Sequence, residues 1–111
     1  MKLEEVVRQL DLEVHSAAGK LDAEVTGGYV CDLLSYVMAK AKTGNLWITV
    51  QGHPNIVAVA SLISLSGIVV AEGAKVEPTT IEKAEQEGVP ILVTALPVYA
   101  VAGRLWALGV Q

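Results

Sequence analysis

The chain has 111 residues, of which 52% are hydrophobic and 18% charged. That balance excludes a disordered segment, which needs low hydrophobicity and high net charge. Eight Lys and Arg stand against twelve Asp and Glu, for a formal charge of −4 and a pI near 5.0, so the cation-to-phosphate attraction that dominates nucleic-acid binding is lacking and no nucleic-acid partner is expected.

The opening stretch MKLEEVVRQLDLEV places a charge every two or three residues and has no apolar h-region, so no signal peptide is expected. Leu3, Val6, Val7 and Leu10 share one stripe, which predicts a helix over 2–10. Residues 12–16 alternate as a short strand, 17–20 read as a turn, and 23–26 form a second short strand halted by Gly27 and Gly28. Over 30–42, Leu34, Val37, Met38 and Ala41 make a helical stripe, with Lys40 and Lys42 suited to the negative end of the helix dipole and Gly44 as a C-cap. The single cysteine, Cys31, excludes an internal disulfide framework and fits a reducing, cytoplasmic compartment.

NLWITVQ alternates Leu46, Ile48 and Val50 against Trp47, Thr49 and Gln51 and predicts a strand. Residues 55–65 are apolar on nearly every side, so a helix there must be buried all round, within the fold or against another chain. GIVVAE, β-branched and bounded by glycines, predicts a central parallel strand. Thr79 and Glu82 form a T-x-x-E capping box for a helix ending at Gly88. PILVTA is another buried strand, and Pro97 opens a last helix whose inner face is Val98, Val101, Ala102, Leu105 and Leu108.

Residues 46–71 carry no Asp, Glu, Lys or Arg and are long enough to span a bilayer. The polar loop from Gln51 to Asn55, and then Ser61, Ser64, Ser66 and Gly67, break that run, so a strand, a buried helix and a strand are expected, with no membrane partner. Strands separated by helices of this length imply parallel β-α-β crossovers, with the early strands pairing antiparallel at an edge. The expectation is one α/β domain over residues 1–111: a three-layer α/β/α sandwich with a mostly parallel, mixed sheet.

Ligands of such sheets gather at strand carboxyl ends. Thr26-Gly27-Gly28-Tyr29 reads as one such end: paired glycines allow φ > 0 and bring N–H groups to an anion beside a helix N-terminus, or simply make a tight turn. In the Gln51–Asn55 loop, His53 contacts a ligand or Asn55 caps the helix. Asp32 complements the dipole of its helix with or without a ligand, and Thr94 ends the last strand. The candidate ligand set is therefore Thr26, Gly27, Gly28, Tyr29, Asp32, Gln51, His53, Asn55 and Thr94. No catalytic set is expected, because the chain has neither a G-x-x-x-x-G-K-[ST] phosphate loop nor a spaced G-x-G-x-x-G. Cys31, His15 and His53 lack metal-ligand spacing, so neither a metal nor a cofactor is expected.

The segment VTGGYVCDLLSYVMAKAKTGNLWITVQGHPNIVAVASL, followed by GIVVAEG and AEQEGVPILVT, resembles the DRTGG domain family over essentially the whole chain. Thr26, Gly27 and Gly28 match the eponymous motif, whereas Glu24 and Val25 stand where it has Asp and Arg. The resemblance implies a fold similar to the N-terminal domain of HPr kinase/phosphorylase, and a regulatory role. Such domains occur inside phosphotransacetylases and between cystathionine-β-synthase repeats of some family II pyrophosphatases, where they take part in adenine-nucleotide sensing and dimer contacts. Stand-alone copies accompany iron-hydrogenase and sensor-kinase-like genes.

Two functions of different kinds follow. One is a non-catalytic regulatory module that homodimerises, as the all-round apolar helix with Trp47 and Trp106 suggests, and binds an adenine nucleotide or other anionic metabolite at the Thr-Gly-Gly turn. The other is an interaction or scaffold module for a larger redox or signalling enzyme, with no small-molecule ligand. A kinase or phosphatase is disfavoured, since neither a phosphate loop nor a nucleophile–base pair is present.

Overall fold

Parallel strands joined through a helix cross over right-handedly in nearly all known cases, and this chain makes three such crossovers in succession, each one step in the same direction. A computed structural model describes residues 1–111. After helix α1 (Leu3–Leu10), strand β1 (Glu13–Val14) and a 3₁₀ turn (Ala18–Lys20), the run is β2 (Gly27–Val30), α2 (Leu34–Lys40), β3 (Asn45–Thr49), α3 (Asn55–Leu62), β4 (Gly67–Val70), α4 (Pro78–Glu87), β5 (Ile91–Val93) and α5 (Val98–Ala107). The sheet order is β1-β5-β4-β3-β2, with β1 antiparallel to β5 and every other pair parallel. Same-handed crossovers in one direction put α2, α3 and α4 on one face, and α1 and α5 cover the other. The result is the three-layer α/β/α sandwich with a mixed, mostly parallel sheet.

Strand alternation divides the core accordingly. Leu46, Ile48, Val69 and Leu92 point into the layer with Leu3, Val6, Val101 and Leu105 of α1 and α5. Trp47, Ile68, Val70 and Ile91 point the other way, against Val37, Ile56, Val57, Ala60 and Ala84 of α2, α3 and α4. Both faces of the central strands are covered, which is why GIVV reads as an unbroken apolar run. α3 packs between α2 and α4 and buries Ile56, Val57, Val59 and Ala60, so its apolar girth is met within the chain. Trp47 is also fully buried, its indole N–H donating to the Cys31 carbonyl at 2.8 Å, and only Trp106 of the two tryptophans is exposed.

Five sequence expectations are corrected. The two early strands do not pair with each other: β1 is antiparallel to β5 at one edge, and β2 is parallel to β3 at the other. Residues 23–26 make only an isolated bridge, Lys2 to Glu24, and the strand is Gly27–Val30 itself, so the glycines begin a strand instead of ending one. α2 starts at Leu34, four residues later than the stripe indicates, because Cys31–Leu33 lead out of β2. Gly44 has φ +84 but lies beyond Ala41, the extended residue that ends α2. The T-x-x-E box is absent: Pro78 occupies the first turn of α4, and it is Thr80, not Thr79, whose hydroxyl acts structurally, donating to the Gly52 carbonyl at 2.6 Å. Gly88 does end α4, at φ +70.

Trp47→Ala tests this division of the core. Loss of its packing and its hydrogen bond is expected to cost about 3–5 kcal/mol, seen as a lower urea midpoint. A stability unchanged within a few tenths of a kcal/mol contradicts a core centred on that ring.

Candidate functional site

β2 and β3 are parallel and in register from Gly27 opposite Asn45 to Val30 opposite Ile48. Thr26, Gly27 and Gly28 therefore stand at the amino end of β2, whereas Asp32, Gln51, His53 and Asn55 lie beyond the carboxyl ends of β2 and β3. The structure splits the expected set between opposite ends of the sheet.

At the amino end the motif is occupied with internal work. Thr26 donates its N–H to Gly44 O at 3.0 Å and its hydroxyl to Thr43 O at 2.9 Å, and accepts from the Asn45 side-chain amide at 3.3 Å. Gly27 is buried; a Cβ there would lie 3.1 Å from Asn45 Nδ2 and 3.6 Å from the Gln111 carbonyl. Val25, in the place of the motif arginine, belongs to the α1–α5 core. The Met1 ammonium, hydrogen-bonded to Glu24 with Lys2 alongside, holds that exposed carboxyl below its ordinary range, so at neutral pH Glu24 is an anion already paired with two cations. Thr26 and Gly27 are thus engaged within the chain, and Gly28 is exposed.

At the carboxyl end, Asp32 ties β2 to β3. Its Oδ1 accepts from the Thr49 hydroxyl at 2.7 Å and the Val50 N–H at 3.0 Å, and Gln51 Nε2 donates to the Asp32 carbonyl at 2.8 Å. Pro54 is the N-cap of α3; the Asn55 N–H donates to Nδ1 of His53, one residue before that cap, at 3.2 Å, and Asn55 itself is the exposed first residue of the helix. Gly52 is pinned by close approach, with a Cβ there falling 2.0 Å from Lys75 O. Thr94 is two strands away from β3. Its carbonyl accepts from Gly73 N–H at 3.0 Å and its hydroxyl from Leu96 N–H at 3.1 Å, and it lines a cleft of about 420 Å³ with Asp11, Glu13 and Arg104. Glu72, at φ +63, caps α5 by accepting the Val98 N–H at 2.9 Å. No group of three His, Cys, Asp or Glu is placed to hold a metal ion, and no helix is long and apolar enough to cross a membrane.

The open feature is the side of β2. It is the sheet's outer strand, and neither it nor its flanks, TGGYVC, carries a charge or a proline. Natural edge strands are usually blunted by such residues or by extreme shortness; β1, the opposite edge, has two residues, one of them Glu13. Gly28, Val30 and Ile48 form the floor of a cleft of about 150 Å³ under Trp106 and Val110. Of the nine exposed large apolar side chains, five sit on β2, α2 or α5 (Val30, Tyr36, Met38, Tyr99 and Trp106), and a sixth, Leu33, is the N-cap of α2. Tyr29, on the other face, packs partly buried against the α2–α4 layer.

The sequence model of the DRTGG domain matches residues 5–108. No curated protein matches the sequence at a significant level. Among solved structures, the regulatory region of Clostridium perfringens pyrophosphatase, comprising CBS and DRTGG domains in complex with the activator diadenosine tetraphosphate, superposes with a TM-score of 0.76 over 94% of this chain at 14% identity. The chain spans 45% of that protein's length. At such identity the likeness shows the fold.

Asp32→Ala is expected to destabilise the fold by about 1–3 kcal/mol by leaving the fully buried Thr49 hydroxyl without its acceptor. Asp32→Asn, which keeps an oxygen at that position, is expected to recover most of the loss. Equal loss in both variants, by thermal or urea unfolding, contradicts the structural role given to Asp32.

Proposed function

The chain belongs to the DRTGG domain family, and we propose that it is a non-catalytic regulatory domain that homodimerises and acts through protein contacts. The observation that carries this reading is the unguarded edge of β2, flanked by exposed apolar side chains and the cleft at Gly28. A paired edge would withdraw both the unbonded main chain and the apolar flank from water, the combination that favours strand addition. A larger redox or signalling enzyme is the partner class whose activity such a dimer would regulate.

Sedimentation equilibrium tests this reading. A species of twice 11.7 kDa at micromolar concentration is expected; a species of 11.7 kDa alone contradicts it.

A second reading is that the domain also binds an adenine nucleotide or another anionic metabolite. It is supported by the likeness in fold to a regulatory region crystallised with diadenosine tetraphosphate. Its residues would be Asp32, Gln51 and His53, which lie together beyond the carboxyl ends of β2 and β3, the edge at which parallel α/β sheets take ligands. Isothermal titration with ATP, ADP and diadenosine tetraphosphate is expected to show saturable heat with at least one, lost in His53→Ala. No heat across the panel removes the ligand and leaves the interaction module.

A further inference from the structure

We infer that two copies of this chain pair their β2 strands antiparallel about a two-fold axis at Tyr29, each Val30 entering the cleft beside Gly28 of the other copy. The inference rests on the homodimer proposed above and specifies its surface and register.

The main-chain directions are set by the bonds to β3. Cys31 donates its N–H to Ile48 O, and the Asn45 and Thr49 carbonyls face β4, where they accept from Ser66 and Ala71, so Leu46 and Ile48 are the β3 residues that face β2. Along an extended strand the N–H and C=O of one residue share a side and successive residues alternate. Gly27, Tyr29 and Cys31 therefore face β3, while Gly28 and Val30 present their main chain to the open side.

Side-chain directions narrow the register further. Gly28 is opposite Leu46 and Val30 opposite Ile48, both of the α1–α5 layer, so Gly28 and Val30 share that face with α5. Identical edges related by a two-fold axis normal to the sheet pair antiparallel, and facing residues must point to the same face. A pairing centred on Tyr29 satisfies both conditions. Val30 of each copy falls opposite Gly28 of the other and exchanges both N–H to C=O bonds with it, and the two Tyr29 residues face each other as a pair without main-chain bonds. A pairing centred on Gly28 sets two glycines face to face and leaves both clefts empty.

Shape argues for a second copy as the occupant. The projecting side chain, Val30, is 48% exposed. The hollow is made by a residue with no side chain, two positions away on the same strand and face. That spacing is what a two-fold pairing brings into opposition. The cleft of about 150 Å³ is lined by Ile48, Ala102, Leu105, Trp106 and Val110 besides the strand, and a dry apolar cavity of that size holds a molecule as large as benzene. The exposed Trp106 ring then closes over the seam on that face. Every strand-edge group brought together is uncharged.

Two substitutions test this without threatening the fold. Val30→Asp places a charge in the seam. Gly28→Val fills the hollow, where a Cβ meets only Ile48 Cδ1 and Leu46 O at 3.8 Å, ordinary contact distance, and a β-branched residue suits a strand. Each is expected to weaken self-association roughly a hundredfold or more in sedimentation equilibrium, with unchanged circular dichroism. Leu62→Asp, at an exposed position on α3, is expected to leave it unchanged. A wild-type dimer that persists in folded Val30→Asp and Gly28→Val overturns the pairing while leaving the homodimer intact. A wild-type monomer removes the homodimer, and this pairing with it.

Discussion

The constraint on which the rest of this molecule depends is the common direction of its three right-handed crossovers. Because β2, β3, β4 and β5 follow one another across the sheet without reversal, three helices are forced to one face. The chain ends, α1 and α5, must supply the second layer. A reversal of strand order is where an open α/β sheet normally splits its loops apart and makes a ligand crevice. None exists within this parallel run, so the carboxyl-end loops close on one another: Asp32 on Thr49, Gly52 on Thr80, Glu72 on Val98.

The same constraint leaves the first parallel strand on the outside. β5 is covered by the antiparallel return of β1, fastened where the Ser16 hydroxyl donates to Val89 O and accepts the Ile91 N–H. β2 has no such cover. Its glycines then have separate tasks. Gly27 lets the Asn45 amide and the Gln111 main chain approach, and Gly28 leaves a hollow beneath α5. A motif that looks in sequence like a phosphate-binding bend is, in space, one docked residue and one empty position on a sheet edge.

What the sequence made legible is what depends on local periodicity. The stripe of α1, the buried runs of β4 and β5, the glycine end of α4 and the inner face of α5 are all set by burial repeating at 2 or 3.6 residues. What escaped it depends on partners far along the chain. Gly27 and Gly28 read as strand breakers because strands favour side chains that pack. At an edge, pairing to Asn45 and Leu46 holds them extended instead. Thr79 and Glu82 match a capping box, but Pro78 moves the helix start and Thr80 is drawn to a carbonyl 28 residues earlier. His53 and Asn55 are both candidates in the sequence, and only the folded turn shows that Pro54 is the cap and that the Asn55 N–H meets the histidine ring. The candidate site was legible as residue types and not as a place, since nothing local to Thr26 or Gln51 says that they occupy opposite ends of adjacent strands.

Backbone amide exchange at Val30 measures the central claim most directly, because that N–H faces away from β3 and has no partner within the chain by the alternation of β2. Protection at Val30 that rises with protein concentration, in step with dimer formation, is the predicted result. A Val30 amide that exchanges at the rate of a solvated peptide, in a solution where the protein is dimeric, would show that the edge of β2 is not where this domain meets its partner.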